Sequence, residues 1–231
     1  MVYLIPTLLS EDAKETIPPY VMECVRKCNV FFAENLRTAR RFLKKMDTSI
    51  VIDNYEWYEI GENEKEVIDS FKNHLKKKSV IGILSEAGCP GVADPGQILV
   101  NVAQEWGEKV RPLVGPSSIL LALMASGMNG QHFTFNGYLP VKKDDRIRKL
   151  KQLEEDSGKR NCTQIFIETP YRNESLLADI LETCNPKTLL CIGCEITGKE
   201  EWIKTLPISK WKKEETRFHK KTAIFLIQKK Y

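Results

Sequence analysis

Short apolar runs alternate with amphipathic helical segments through the first half of this 231-residue chain, and that alternation leaves few folds open. Val2–Ile5, Val30–Ala33, Ile50–Ile52, Val80–Leu84 and Val110–Val114 are rich in β-branched or aromatic side chains, as strands buried on both faces are. Between them, Pro19–Cys28, Leu36–Met46 and Glu64–Lys78 repeat their apolar residues at helical intervals. In the last of these, Val67, Ile68, Phe71 and Leu75 form one stripe. A fourth helix is signalled by Asp94 as its N-cap, Pro95 at its first position and Gly107 just past its end. Strand–helix–strand order requires parallel crossovers, so this half is expected to form an open, mostly parallel α/β sheet.

The second half follows another pattern. Helices are expected at Ser117–Ser126, Asp144–Glu155 and Arg172–Cys184, and strands at Phe133–Asn136, Gln164–Ile167 and Leu189–Cys194. Two further extended segments, Trp202–Leu206 and Thr222–Gln228, are separated only by a short helical stretch within Pro207–Lys213. Strands that follow one another so closely favour antiparallel pairing, hence a mixed sheet. The change of pattern falls at Val114-Gly115-Pro116, which divides the chain into an N-terminal α/β domain, 1–113, and a C-terminal α/β domain with a mixed sheet, 114–231.

Composition narrows the function classes. No apolar stretch reaches the roughly 18 residues a bilayer span needs, and Met1–Pro6 has neither a basic region nor a cleavage site, so a cytoplasmic protein with no membrane partner is expected. Seven cysteines scattered through strand and helix patterns read as reduced, buried thiols. Cys191 and Cys194 form a CxxC, but three positions apart on a strand they point to opposite faces, and no metal is expected. His74, His132 and His219 sit in unrelated, surface-like contexts and support no catalytic triad.

Net charge is +4, unevenly spread. Residues 1–113 hold 15 basic and 17 acidic side chains, and residues 114–231 hold 20 and 14. Val141–Arg160, with eight Lys/Arg against five acids, and Lys199–Lys221, with eight against four, supply the excess. A polyanionic partner and a solvated Lys/Glu surface are both compatible with that mixture.

The stretch with most chemical content runs from Ser85 to Gly96, Ser-Glu-Ala-Gly-Cys-Pro-Gly-Val-Ala-Asp-Pro-Gly, directly after a strand and before a helix. Ligands of open α/β sheets bind outside the carboxyl ends of strands, where this loop falls. Its glycines and prolines set a tight path and admit a ligand to main-chain groups, but neither GxGxxG nor a P-loop is present. Val114-Gly115-Pro116-Ser117-Ser118 is a second strand–turn–helix loop, whose hydroxyls and N–H groups suit a carboxylate or an adenine edge as well as a simple helix cap.

Together these loops resemble a family. Ser85–Pro90 with Asp94-Pro95-Gly96 is similar to the S-D-A-G-T-P-x-x-S-D-P-G signature of tetrapyrrole-methylase-like (class III) S-adenosylmethionine-dependent methyltransferases. More narrowly, the chain resembles the bacterial 16S rRNA cytidine-2′-O-methyltransferase branch. Phe32–Thr38 is similar to A-A-E-D-T-R, Val114–Ser118 to P-G-P-S/C-A, and Ala125–Met128 with Phe133–Pro140 to A-S-G-L…F-x-F-x-G-F-L-P. Ile167–Arg172 is similar to Y-E-S-x-H-R and Cys194–Thr197 to R-E-L-T. These motifs, each in its place along the chain, make the likeness specific.

The resemblance implies two α/β domains with S-adenosylmethionine in the cleft between them, usually as a homodimer. It places Pro6, Ser85, Ala87, Gly88, Val92, Ser117, Ser118, Thr169, Glu195 and Ala223 around the cofactor, and Glu34, Asp94, Glu168 and Glu195 near the reacting groups. Catalytic roles fall first on Glu34, Asp94 and Glu168, with Asp94 also read as a helix cap. The implied substrate is ribosomal RNA, with Lys142, Lys143, Arg146, Arg148 and Lys149 expected to meet its phosphates. A small-molecule acceptor such as a tetrapyrrole precursor, or a non-catalytic cofactor-binding protein, are the alternatives. The chain departs from the branch where the latter has P-T-P-I-G-N-L-G-D-I: Ile5–Lys14 contains no glycine. Cys89 stands in place of a threonine and Cys194 in place of an arginine.

Overall fold

The computed structural model describes residues 1–61, 63–214, 216 and 218–230. The chain divides into two compact units, Met1–Ser117 and Ser118–Tyr231.

In the first unit, strands β1 (Val2–Ile5), β2 (Val30–Ala33), β3 (Glu56–Glu59), β4 (Ile81–Leu84) and β5 (Val110–Pro112) form one sheet in the order β3-β2-β4-β1-β5. Every pairing in it is parallel. Helices α1 (Pro19–Val25), α2 (Leu36–Met46), α3 (Glu64–Lys76) and α4 (Gln97–Glu105) supply the crossovers. Alternate residues of each strand feed two cores, which is why the strands read as continuous apolar runs. Tyr3, Ile5, Phe31 and Ala33 pack with Val21 and Val25 of α1 and Phe42 and Leu43 of α2. Val2, Val30, Phe32, Ile81 and Ile83 pack with Phe71 and Leu75 of α3 and Leu99 and Val102 of α4.

Two expectations fail here. The strand at Ile50–Ile52 is absent: Ile52–Asn54 is a 3₁₀ turn, and the strand that pairs with β2 is Glu56–Glu59. This edge strand is only half-buried, so it lacks the apolar run that marks the others; Trp57 and Tyr58 anchor it by packing on Phe31 and Phe32. His74 is buried, with Nε2 3.3 Å from the Tyr58 hydroxyl and Nδ1 3.3 Å from Ser79 Oγ, and is no surface residue.

The second unit begins with α5 (Ser118–Ser126). A mixed sheet follows, ordered β6-β7-β10-β8-β9, from β6 (Phe133–Tyr138), β7 (Thr163–Glu168), β8 (Leu189–Cys194), β9 (Trp202–Pro207) and β10 (Ala223–Gln228). Only β6 and β7 are parallel; the remaining pairs are antiparallel. Phe166, Ile192, Phe225 and Ile227 of the sheet pack with Leu150 and Leu153 of α6 (Lys143–Arg160), Leu176 and Ile180 of α7 (Asn173–Thr183), and Trp211 of α8 (Ile208–Trp211). Cys194 joins that core whereas Cys191 does not, as opposite facing requires, and burial pushes both thiols up to about 11. Among the described residues no helix is long and apolar enough to cross a membrane.

Candidate functional site

Four loops leave the carboxyl ends of strands in the first unit, and short contacts lock them together. Thr7, just after β1, donates its N–H to Gly88 O at 2.8 Å and its hydroxyl to Ser85 O at 3.3 Å, joining the β1 and β4 loops. The loop after β5 lies against the loop after β1: a Cβ on Gly115 would meet Pro6 Cβ at 2.1 Å, so only glycine allows this approach. The Cys89 thiol points at Pro116 O at 3.4 Å, tying the β4 loop to the β5 loop. Burial raises the pKa of that thiol, so Cys89 acts as a weak donor here and not as a nucleophile. Glu34, just after β2, accepts the Glu86 N–H at 3.0 Å.

Pro6, Ser85, Ala87, Gly88 and Ser117 are thus gathered at one edge of the first sheet. Pro6 is buried against Gly115. The Ser85 hydroxyl turns back on its own loop, donating to Gly88 O at 3.1 Å, so it shapes the loop. Gly88 has φ +75°, the left-handed region that favours glycine, and an added Cβ would stand 3.3 Å from Pro116 O. Ala87 is exposed, Ser117 is half-buried, and among the described residues neither N–H is hydrogen-bonded. Val92 is 51% exposed on the outer part of the loop. The arrangement is a neutral cradle of backbone groups, pre-formed by glycine, proline and serine, and it fits a ligand held through main-chain atoms.

Asp94 is not the N-cap of α4, which starts three residues later at Gln97. Its Oδ1 instead accepts the N–H groups of Gly91 at 3.0 Å and Gly96 at 2.7 Å, closing the loop on itself. The local preference of Asp for binding nearby N–H groups is real, but the loop wins it over the helix. Asp94 Oδ2 is buried without a donor among the described residues, and the carboxyl group of Glu34 lies against Asp94. Burial foremost, then the Asp94 charge, raise the Glu34 pKa against the opposing pull of the Glu86 N–H.

In the second unit, register brings another set together. Ala223 of β10 pairs with Glu168 of β7 on one side and Cys194 of β8 on the other, so Thr169, Glu195 and Ala223 share one end of the sheet. Glu168 is fully buried; its Oε1 accepts Thr169 N–H at 2.7 Å and Arg172 Nε at 3.0 Å, while Oε2 has no donor among the described residues. Glu195 has φ +48° and accepts the N–H and hydroxyl of Thr222 at 2.8 and 2.9 Å. Ser118 opens α5.

The basic stretch of the second unit departs most from expectation. Arg146 is buried, with Nε 2.7 Å and Nη2 2.6 Å from Asp179 Oδ2 and Nη1 2.7 Å from Val141 O. It holds α6 to α7 and cannot meet a phosphate. Lys143 reaches Asp179 and Glu182, and Arg148 is paired with Asp145. Thr7 and Tyr20, whose hydroxyl accepts the Val114 N–H at 2.7 Å, are site-shaping residues that the sequence reading missed. Only the absence of charge around Thr7, in a segment otherwise unlike the family, could have pointed to it.

No family model matches the chain. It is 32% identical over 230 residues to ribosomal RNA small subunit methyltransferase I of Buchnera aphidicola subsp. Schizaphis graminum, across 98% of this chain and 77% of that protein. The protein of the same name from Escherichia coli O157:H7 is 26% identical over 98% of this chain and 77% of its own. Among solved structures, cobalt precorrin-4 methyltransferase superposes with a TM-score of 0.61 at 13% identity, covering 98% of this chain and 94% of the other. Uroporphyrin-III C-methyl transferase from Thermus thermophilus, complexed with S-adenyl homocysteine, gives 0.56 at 15% identity, covering 99% and 97%. These structures share the fold, so the expected tetrapyrrole methylase-like architecture of two α/β sheets, one parallel and one mixed, is borne out. The sequence likeness, which runs through almost the whole chain and most of its relative, makes this protein a methyltransferase of the ribosomal RNA small subunit methyltransferase I family.

Proposed function

We propose that this protein transfers a methyl group from S-adenosylmethionine to RNA of the small ribosomal subunit, in the cytoplasm and as a homodimer. The observation that carries the cofactor reading is the locked neutral cradle of Pro6, Ala87, Gly88, Gly115 and Ser117, with N–H groups of Ala87 and Ser117 left open. The RNA reading is supported by the name of the relatives. When bound, the cofactor supplies an electrophilic methyl group on a sulfonium. The cradle residues hold it by main-chain contact, with Val92 at the outer rim and Ser85 setting the loop. Ser118, Thr169, Glu195 and Ala223 are assigned to the same cofactor by the resemblance, and Glu168 Oε2, which has no partner among the described residues, leaves an acceptor for a bound donor.

Methyl transfer is an in-line displacement, so positioning supplies most of the catalysis. A ribose hydroxyl must also lose its proton. Of Glu34, Asp94 and Glu168, we assign that task to Glu34, whose carboxyl is held above its ordinary range by burial and by Asp94. Asp94 is assigned to closing the loop, through its bonds from the Gly91 and Gly96 N–H groups. Glu168 is engaged by Arg172 and Thr169, and we assign it to organising the end of β7. Leu120 and Met124, one turn apart on α5 and 53% and 77% exposed, offer apolar surface for two-fold pairing.

Incubation with labelled cofactor, small-subunit RNA and, separately, a metabolite extract tests the reading. Label is expected in the RNA. Label confined to a small molecule would favour a tetrapyrrole-like acceptor, and no transfer despite cofactor binding would favour a non-catalytic binding protein. A solution mass of 26.5 kDa, that of one chain, would remove the dimer.

A further inference from the structure

Helix α2 leaves the carboxyl end of β2 with Asn35 as its cap, the Asn35 Oδ1 accepting the N–H groups of Arg37 and Thr38 at 3.0 and 3.1 Å. Ala39, Phe42 and Leu43 bury one side of the helix in the core. The remaining surface carries Arg37, Arg40, Arg41, Lys44 and Lys45, and the helix contains no acid. Arg37, Arg41 and Lys45 follow one another at four-residue intervals, about 6 Å apart along the axis, comparable to the separation of neighbouring phosphates on a nucleic-acid strand.

A cleft of about 190 Å³ runs along this side, lined by Thr7, Leu9, Thr38, Arg41, Lys45 and Ala87 among others. It therefore joins the basic helix directly to Ala87 and Thr7 of the cofactor cradle. One carboxylate reaches into the basic pair: Glu11 contacts Arg41 and lies 3.4 Å from Lys45 Nζ. The hydrogen bond from Lys45 and the charge of Arg41 hold the Glu11 carboxyl below its ordinary range. Glu11 lies in the segment that departs from the family by lacking glycine.

We propose that the outer face of α2 is the docking surface for the phosphate backbone of the RNA substrate, and that Glu11 occupies a phosphate position there until the RNA displaces it. This rests on the RNA reading of the preceding section. An arginine guanidinium accepts a phosphate through two parallel N–H···O bonds, and a carboxylate is the side chain that best imitates the phosphate toward it. Charge complementarity selects the occupant. A run of cations without interleaved acids suits a polyanion, whereas a protein partner would need a run of carboxylates to match it. Glu11 makes the surface selective: a lone anion gains little by replacing it, while a strand that also meets Arg37 and Arg40 does.

The test measures binding of protein-free small-subunit ribosomal RNA and labelled methyl transfer to it, with S-adenosylhomocysteine affinity measured in parallel. Arg37→Glu combined with Arg41→Glu is expected to weaken RNA binding at least tenfold and to reduce the slope of log affinity against log salt by about 1.4, at roughly 0.7 per lost single-strand contact. Cofactor affinity should stay unchanged. Glu11→Gln is expected to strengthen RNA binding severalfold, which a merely structural loss would not do. RNA methylation that survives the double reversal, or a Glu11→Gln variant that binds RNA no better than the parent, overturns the docking surface while leaving the RNA reading intact. A parent protein that neither binds nor methylates RNA overturns both.

Discussion

Helix α2 holds five Lys and Arg in eleven residues and no acid, while α6 holds seven in eighteen together with five acids. In α6 four of the seven cations are engaged inside the second unit: Arg146 is buried on Asp179, Lys143 faces Asp179 and Glu182, Arg148 meets Asp145, and Lys159 meets Glu155 at 2.6 Å. In α2, Glu11 is the acid that meets Arg41 and Lys45, Arg40 lies 5.2 Å from the centre of the Trp57 ring, and Lys44 reaches Thr48 O. The half of the chain with the lower net charge therefore carries a helix whose cations have no acid among them. A charge count along the sequence measures how much charge there is; only pairing decides how much of it a polyanion can meet.

Disrupting the fold role of α6 should give the largest effect. Arg146→Met strands the buried Asp179 carboxylate without its guanidinium, and loss of one member of a buried pair costs about 3–5 kcal/mol. Denaturant unfolding should register that as a lower midpoint; an unchanged midpoint would mean that α6 can release Arg146 and that the contrast with α2 is overstated.

On the first unit the expected losses fall on function. Glu34→Gln should reduce the rate of methyl transfer by about a hundredfold, the lower part of the range for a general base. The parent's rate should rise with pH through a midpoint above the ordinary carboxylate range, because Glu34 must be unprotonated to accept a proton. The stability effect has the opposite sign. A carboxyl whose folded pKa is raised binds its proton more tightly in the folded state, so stability declines as pH climbs from the unfolded pKa to the folded one. The glutamine variant should lose both dependences; a pH–rate profile identical to the parent's would take Glu34 out of the reaction.

Smaller, but confined to the cofactor, is the effect expected of Gly88→Val. A β-branched residue is strained at φ +75°, and its Cβ would press on Leu9 at 3.2 Å and Pro116 O at 3.3 Å. Calorimetry should find S-adenosylmethionine affinity at least tenfold weaker, about 1.4 kcal/mol. The smallest change is expected for Arg148→Glu with Lys159→Glu on α6, where exposed pairs contribute little: RNA methylation should remain within about twofold of the parent. A larger fall would return RNA docking to the second unit.

Much of the fold is legible in the sequence. The runs Val2–Ile5, Val30–Ala33 and Leu189–Cys194 are strands with the expected bounds, and Leu36–Met46 is a helix with the expected bounds. Elements buried on a full face leave a periodic trace in the sequence. Edge strand β3 leaves little trace because half of it is solvated, and α6 continues past Glu155 to Arg160 through Ser157 and Gly158. That end of the helix packs on the chain after β10, where the Lys229 N–H donates to Ser157 Oγ at 3.0 Å and the Lys229 side chain lies over Gly158.

The sequence by itself determined the class of fold, the order of its elements and the family, because these rest on local periodicity and on motifs that are contiguous in the chain. Tertiary structure alone decided what the individual polar groups do. Asp94 closes its loop instead of capping a helix, Glu34 meets Asp94 across some sixty residues of sequence, and Arg146 and His74 are buried. Glu11 faces Arg41 and Lys45 from a different segment. A side chain's charge is local, but its pKa, its partners and its exposure are set by whatever the fold brings within a few ångströms of it.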